Sequence, residues 1–358
     1  MKPLMSTLSI PLAFIALCFS HAYADAKTVQ QKLYVLHSLG EHVSVVDATT
    51  NQLLGEIKVG RLPHGIASPG SQRLLYISNE EDHSVSVIDT QSDTVIKQFD
   101  NLGRRPNEID ITSDGRLLYL PALQDGVYQV FDTRLEKVIA EIPTDGFPHN
   151  AVVSPDDRYA YFSAMDRGDR PAEVIKQYGL QTSLNQKIYI VDTQTHKIVD
   201  TIDTGDAPRP IAVSPNGNYL YVNTDGLQGF LVLDLNLRAV VARVEYALTE
   251  KEAASPSRSH GIFASPGGRE VWTSDVNHGT VYAFDVTQMP PVQVARIETG
   301  VPAYWLTGTN DGKTLYVTSA PGDVVTVINI ATRKLTSTIQ LPEGSAPKRM
   351  LVVDVPVD

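Results

Sequence analysis

The sequence predicts an all-β fold, a seven-bladed β-propeller closed by pairing N-terminal strands with the C-terminal strand. Two independent registers and the placement of surplus length predict it. The first register is a turn leading into an apolar strand: Pro63-His64-Gly65-Ile66, Pro106-Asn107-Glu108-Ile109, Pro148-His149-Asn150-Ala151, Pro208-Arg209-Pro210-Ile211, Ser259-His260-Gly261-Ile262, Ala303-Tyr304-Trp305-Leu306 and Pro347-Lys348-Arg349-Met350. Its steps are 43, 42, 60, 51, 44 and 44 residues. The second register is a strand closed by a turn acid or amide at Asp47, Asp89, Asp132, Asp192, Asp234, Asp285 and Asn329, stepping by 42, 43, 60, 42, 51 and 44. A period in the low forties with four short strands per unit is that of a propeller blade. Alternation of apolar with small or polar residues before each closing acid is strand periodicity, and Asp or Asn suits the turn that follows.

Taken in chain order, Lys32–Val35, Val43–Val46 and Leu53–Ile57 are three strands without an innermost partner. Six complete units follow, beginning at Pro63, Pro106, Pro148, Pro208, Ser259 and Ala303. The last segment, Lys348–Asp354, supplies one innermost strand, so the seventh blade is assembled from both termini and no open edge is left. Residues 25–30 read as a loose lead-in. The long steps place insertions at 165–186, in the loop between a second and third strand, and at 246–258, before an innermost strand. Leu248–Ala254 contains good helix formers and stops at Ser255-Pro256.

Lys2, the apolar run Ile10–Leu17 and Ala22-Tyr23-Ala24 are the parts of a secretory signal peptide, with cleavage expected after Ala24 and a periplasmic or secreted product. The run is shorter than the roughly 20 residues a spanning helix needs, so no transmembrane anchor is expected. Residues 25–358 then read as a single monomeric domain. Cys18 is the only cysteine, which excludes structural disulfides, thiolate metal sites and an attached c-type haem in the mature chain. A formal charge of −11 argues against nucleic-acid partners.

The Tyr-Val-Thr-Asn-like segments Leu75-Tyr76-Ile77-Ser78, Leu220-Tyr221-Val222-Asn223 and Leu315-Tyr316-Val317-Thr318 accompany the Val-Ser-Val-Ile-Asp and Pro-His-Gly-Ile elements. Together they make residues 31–356 resemble the YVTN family of β-propeller repeat proteins. That resemblance specifies the fold closely and the function loosely. Relatives include surface-layer repeat proteins, periplasmic binding proteins, haem d1 domains, sugar lactonases and a streptogramin lyase.

A propeller brings one loop of every blade to a common axis, so His64, Asn107, His149, Arg209, His260, Tyr304 and Lys348 are expected to form a ring. Both insertions fall on its face, and long loops on a rigid scaffold are where binding usually sits. His64, His149 and His260, in alternating blades, read either as ligands for Zn²⁺ or Cu²⁺ or as an ordinary polar channel mouth. Arg209, Lys348, Arg349, Arg105 and Arg258 on the same rim read as an anion-attracting funnel in an acidic chain, or as solvated charge. The ligand-binding set is therefore Asn107, Arg209, Tyr304, Lys348, Arg105 and Arg258. The expected function is capture of a small anionic ligand or a periplasmic protein partner without chemistry. The rival is a metal-dependent hydrolase or lyase of the lactonase kind, for which Glu108, Asp166 and Asp275 are the acids at hand. The 165–186 insertion reads as a lid or docking element.

Overall fold

A computed structural model describes residues 29–165, 186–255 and 257–356. The leader and almost all of the 165–186 insertion, including Asp166, lie outside the described residues. The described chain forms seven four-stranded antiparallel sheets, each a meander. Numbered from the blade that joins the first and last described strands, the innermost strands are Pro347–Pro356, Pro63–Ala67, Asp110–Ile111, Phe147–Val153, Pro208–Val213, Ser259–Ala264 and Leu306–Gly308.

Blade 1 closes the ring: Val29–His37 pairs with Pro347–Pro356, with Leu33 opposite Val352 and Val35 opposite Met350. The expected lead-in is shorter than 25–30, because Val29 and Gln30 already pair with Pro356 and Val355. Second and third strands are buried on both faces, so their apolar residues face the neighbouring blades on either side. The repeat tyrosine fills this space in Tyr34, Tyr76, Tyr119, Tyr161, Tyr221 and Tyr316, while Trp272 takes its place in blade 6. The closing acids do what a turn needs. Asp47 Oδ1, for example, accepts the Thr49 and Thr50 amides at 2.9 and 2.8 Å.

Every blade also has a register shift between its third and fourth strands, close to the closing residue, as between Val45 and Val46 or between Val327 and Ile328. Bulges at constant positions add twist, which rotates each outer strand away from the axis. On the face opposite the ring, the turns of adjacent blades leave grooves: about 470 Å³ beside Pro155, Tyr159 and Pro215, and about 410 Å³ beside Pro215, Tyr219 and Pro266. Their recurrence at equivalent turns marks them as products of blade packing.

The 246–258 insertion is packed structure. It holds a single helical turn, Glu250–Ala253, with a reciprocal capping box between Thr249 and Glu252. Burial works to raise the Glu252 carboxyl, but bonds from the Thr249 backbone and hydroxyl and from Arg296 outweigh it and hold it at about 2. Arg296 belongs to the outermost strand of blade 6, so the insertion is fastened to that blade's flank. Among the described residues, no helix is long and apolar enough to cross a membrane.

Candidate functional site

The ring residues reach the axis because the innermost pair of strands is irregular where they stand. The ladder shifts register between Pro63 and Ile66, Pro148 and Asn150, Pro208 and Ile211, and Ser259 and Ile262. Those shifts bracket His64, His149, Arg209 and His260, and a bulge re-aims the side chain it contains. Backbones approach closely here. A Cβ on Gly65 would stand 2.4 Å from the Asn107 carbonyl oxygen, so glycine is required after His64.

Hydroxyls on the second strands hold the turns in place. Ser78 Oγ accepts the Gly65 amide at 2.8 Å and donates to the Asn107 carbonyl at 2.6 Å. Ser274 Oγ links the Gly261 amide to the Tyr304 carbonyl, and Thr318 Oγ1 links the Trp305 amide to the Lys348 carbonyl at 3.1 and 2.9 Å. The Ser or Thr of the repeat motif thus joins its own blade's ring turn to the next ring residue.

A cavity of about 310 Å³ opens at this ring, and all ten ring and rim residues expected from the sequence line it: His64, Arg105, Asn107, His149, Arg209, Arg258, His260, Tyr304, Lys348 and Arg349. Glu80 and a short apolar edge of Leu39, Leu62 and Leu123 complete much of the wall. The sequence reading missed Glu80. It follows the second strand of blade 2, and its position in the acidic run Glu80-Glu81-Asp82 gives it the look of a solvated turn. In the structure it is buried and central. Its carboxylate accepts hydrogen bonds from Arg105 Nη2 at 2.7 Å and from Asn107 Nδ2, and His64 Nδ1 stands 3.2 Å from it.

Three cations of the wall have acidic partners. Arg105 pairs with Glu80, Arg349 with Glu108, and Arg209 with Asp225 at 3.0 Å. Arg258 and Lys348 have no ion-pair partner among the described residues. Both stand near the Tyr304 ring, 5.9 and 5.6 Å from its centroid. Tyr304 packs on His260 at 4.1 Å, and Arg349 lies 3.6 Å over Trp305. The two buried acids, Glu80 and Glu108, therefore belong to blades 2 and 3, and the cations lacking acids to blades 6 and 1 around the tyrosine of blade 7.

Burial pushes the His64 and His260 imidazoles well below the ordinary histidine range, and among the surrounding charges Arg349 acts most strongly in the same direction. Both are neutral at pH 7. Burial also raises the Glu108 carboxyl against the pull of Arg349. The three ring histidines have separate neighbours: Glu80 for His64, Glu108 at 3.7 Å for His149, and Tyr304 for His260. Among the described residues no group of three or more His, Cys, Asp or Glu has an arrangement that can hold a metal ion. Asp275 does not line the cavity. It is fully buried, bonded to His278 at 2.9 Å, Gln228 at 3.1 Å and Ser257.

A family model described as lactonase, 7-bladed beta-propeller, matches residues 40–352. No curated protein matches the chain. Among solved structures, the periplasmic gluconolactonase PpgL of Pseudomonas aeruginosa superposes with a TM-score of 0.72 at 16% identity, covering 92% of this chain and 100% of that one. A chain of Kuenenia stuttgartiensis hydrazine synthase gives 0.70 at 21% identity, covering 84% and 92%. The dihydro-haem d1 dehydrogenase NirN gives 0.63 at 16%, covering 87% of this chain and 64% of that one. At these identities the structural likeness concerns the fold.

Proposed function

The chain belongs to the lactonase family of seven-bladed β-propellers, and on that premise we propose that its axial cavity captures a small organic anion. One observation carries the reading: Arg258 and Lys348 flank Tyr304 at the cavity wall with no acidic partner among the described residues. In a chain of net charge −11 this concentrates positive potential at one mouth. A carboxylate placed there makes charge-assisted hydrogen bonds, and partial enclosure strengthens them. The same field disfavours a divalent cation among the histidines. Export to the periplasm, read from the leader, fits a receptor for dilute small molecules.

Calorimetric titration with small carboxylates tests this. Arg258→Ala and Lys348→Ala should each weaken binding by about 1–3 kcal/mol while leaving the unfolding midpoint near that of the parent. Unchanged affinity in both variants would remove the cluster as a binding site.

A second reading, hydrolysis of a lactone, is favoured by the family and by neutral His64 beside Glu80 at the cavity wall. Opening a lactone releases a carboxylate, which the cations would receive. Titrating released acid from a panel of lactones, with His64→Ala as control, tests it: acid release that depends on His64 supports hydrolysis, and none above background rejects it.

A further inference from the structure

Glu80 dictates what two of its neighbours show to the cavity. A carboxylate paired with Arg105 accepts hydrogen bonds and does not donate them. The side-chain nitrogen of Asn107 must therefore face it, leaving Oδ1 as the acceptor on the other side of the amide. His64 Nδ1 stands 3.2 Å from the same carboxylate oxygen, whose charge favours the tautomer with its proton on Nδ1 and a lone pair on Nε2. His64 Nε2 and Asn107 Oδ1 are both buried and have no hydrogen-bond partner among the described residues. Both side chains belong to the cavity wall. Burial and the surrounding cations keep the His64 ring neutral, so the lone pair persists at pH 7.

The cavity thus has two unlike sides. Blades 2 and 3 present two acceptors, and Arg258 and Lys348 present donors with positive charge. A plain fatty acid or inorganic anion satisfies the second side and leaves the acceptors buried and unpaired, which weakens its binding. A neutral polyol satisfies the first and leaves the cations. We infer that the cavity selects a hydroxylated carboxylate, whose acid group meets Arg258 and Lys348 and whose hydroxyls donate to His64 Nε2 and Asn107 Oδ1. This rests on the anion-capture reading above and adds the hydroxyl requirement.

Calorimetry on the full chain with gluconate, hexanoate and glucitol separates the two statements. Gluconate should bind at least about tenfold more tightly than hexanoate, the factor expected from satisfying one buried acceptor, and glucitol more weakly than either acid. Equal affinity for gluconate and hexanoate would overturn the hydroxyl requirement while leaving anion capture standing, and would mean that water fills the acceptors. Glucitol binding as well as gluconate, or no binding by either acid, would overturn anion capture itself. Glu80→Gln supplies an amide that can donate to His64 Nδ1, so the gluconate-to-hexanoate ratio should fall toward one. The parent protein gives a check that needs no variant: ¹⁵N spectra of His64 should show the proton on Nδ1. A proton on Nε2 would refute the assignment.

Discussion

Arg258 and Lys348 were legible in the sequence as rim cations, because the turn register alone aligns Lys348 with the ring and Arg258 stands two residues from His260. The buried acid that organises the opposite wall was not. Glu80 lies outside both registers, and nothing in one sequence distinguishes it from Glu81 and Asp82 beside it; only three-dimensional convergence on His64, Asn107 and Arg105 does. The histidines were legible as positions and not as chemistry, since spacing around an axis does not reveal which neighbour each ring meets. Their burial has a measurable consequence. An unfolded histidine titrates near 6.5, whereas His64 and His260 titrate well below that in the fold. As pH falls through about 6.5 the unfolded state takes up protons that the native state does not, so stability declines on the acid side. The urea midpoint should drop between pH 7.5 and pH 5, and His260→Phe, which keeps a ring against Tyr304, should flatten that slope. An unaltered slope would show that His260 is not one of the groups responsible.

At the scale of elements, the existence of strands and insertions was readable from period and spacing, while their ends were set by side chains that stand in for backbone. Blade 3 is the clearest case. Its innermost strand has shrunk to Asp110–Ile111, and the Asp110 carboxylate accepts the Val153 amide of the next blade at 2.7 Å. Burial raises that carboxyl to about 6, with amide bonds from Val153 and Ile111 opposing it. The helical turn at Glu250–Ala253 was foreseeable from composition, but its fastening to Arg296 across 44 residues was not. The hydroxyl tethers lend themselves to a direct test. Ser274→Ala leaves the Gly261 amide and the Tyr304 carbonyl without their shared partner and should cost about 1–3 kcal/mol of stability. It should also weaken anion binding, because Tyr304 is the surface between the two cations. Thr90→Val, which removes bonds to the Gln72 and Arg73 carbonyls on the far face, should lower stability and leave affinity alone. Equal effects of both variants on affinity would mean that binding follows global stability.

For the whole molecule, the ring depends on its closure. Pro347–Pro356 buries Met350, Val352, Val353 and Val355 against blade 1 and its neighbours. At about 1.5–3 kcal/mol for each buried side chain, their loss rivals the roughly 5–15 kcal/mol by which a folded domain exceeds its unfolded state. Removing residues 347–358 should therefore abolish the cooperative thermal transition. A truncated chain that still melts sharply at the parent temperature would show that six blades suffice. This closure was readable from the first and last repeats, because an unpaired set of three strands and a lone fourth have one economical solution.

The strand that closes the ring also carries Lys348 and Arg349 into the cavity wall. Synthesis runs from the N-terminus, so Val29–His37 is made long before Pro347–Pro356 and must wait for that strand before it gains its inner partner. Until then the chain lacks both its seal and two of its cations. Closure of the ring and completion of the cavity wall thus arrive together.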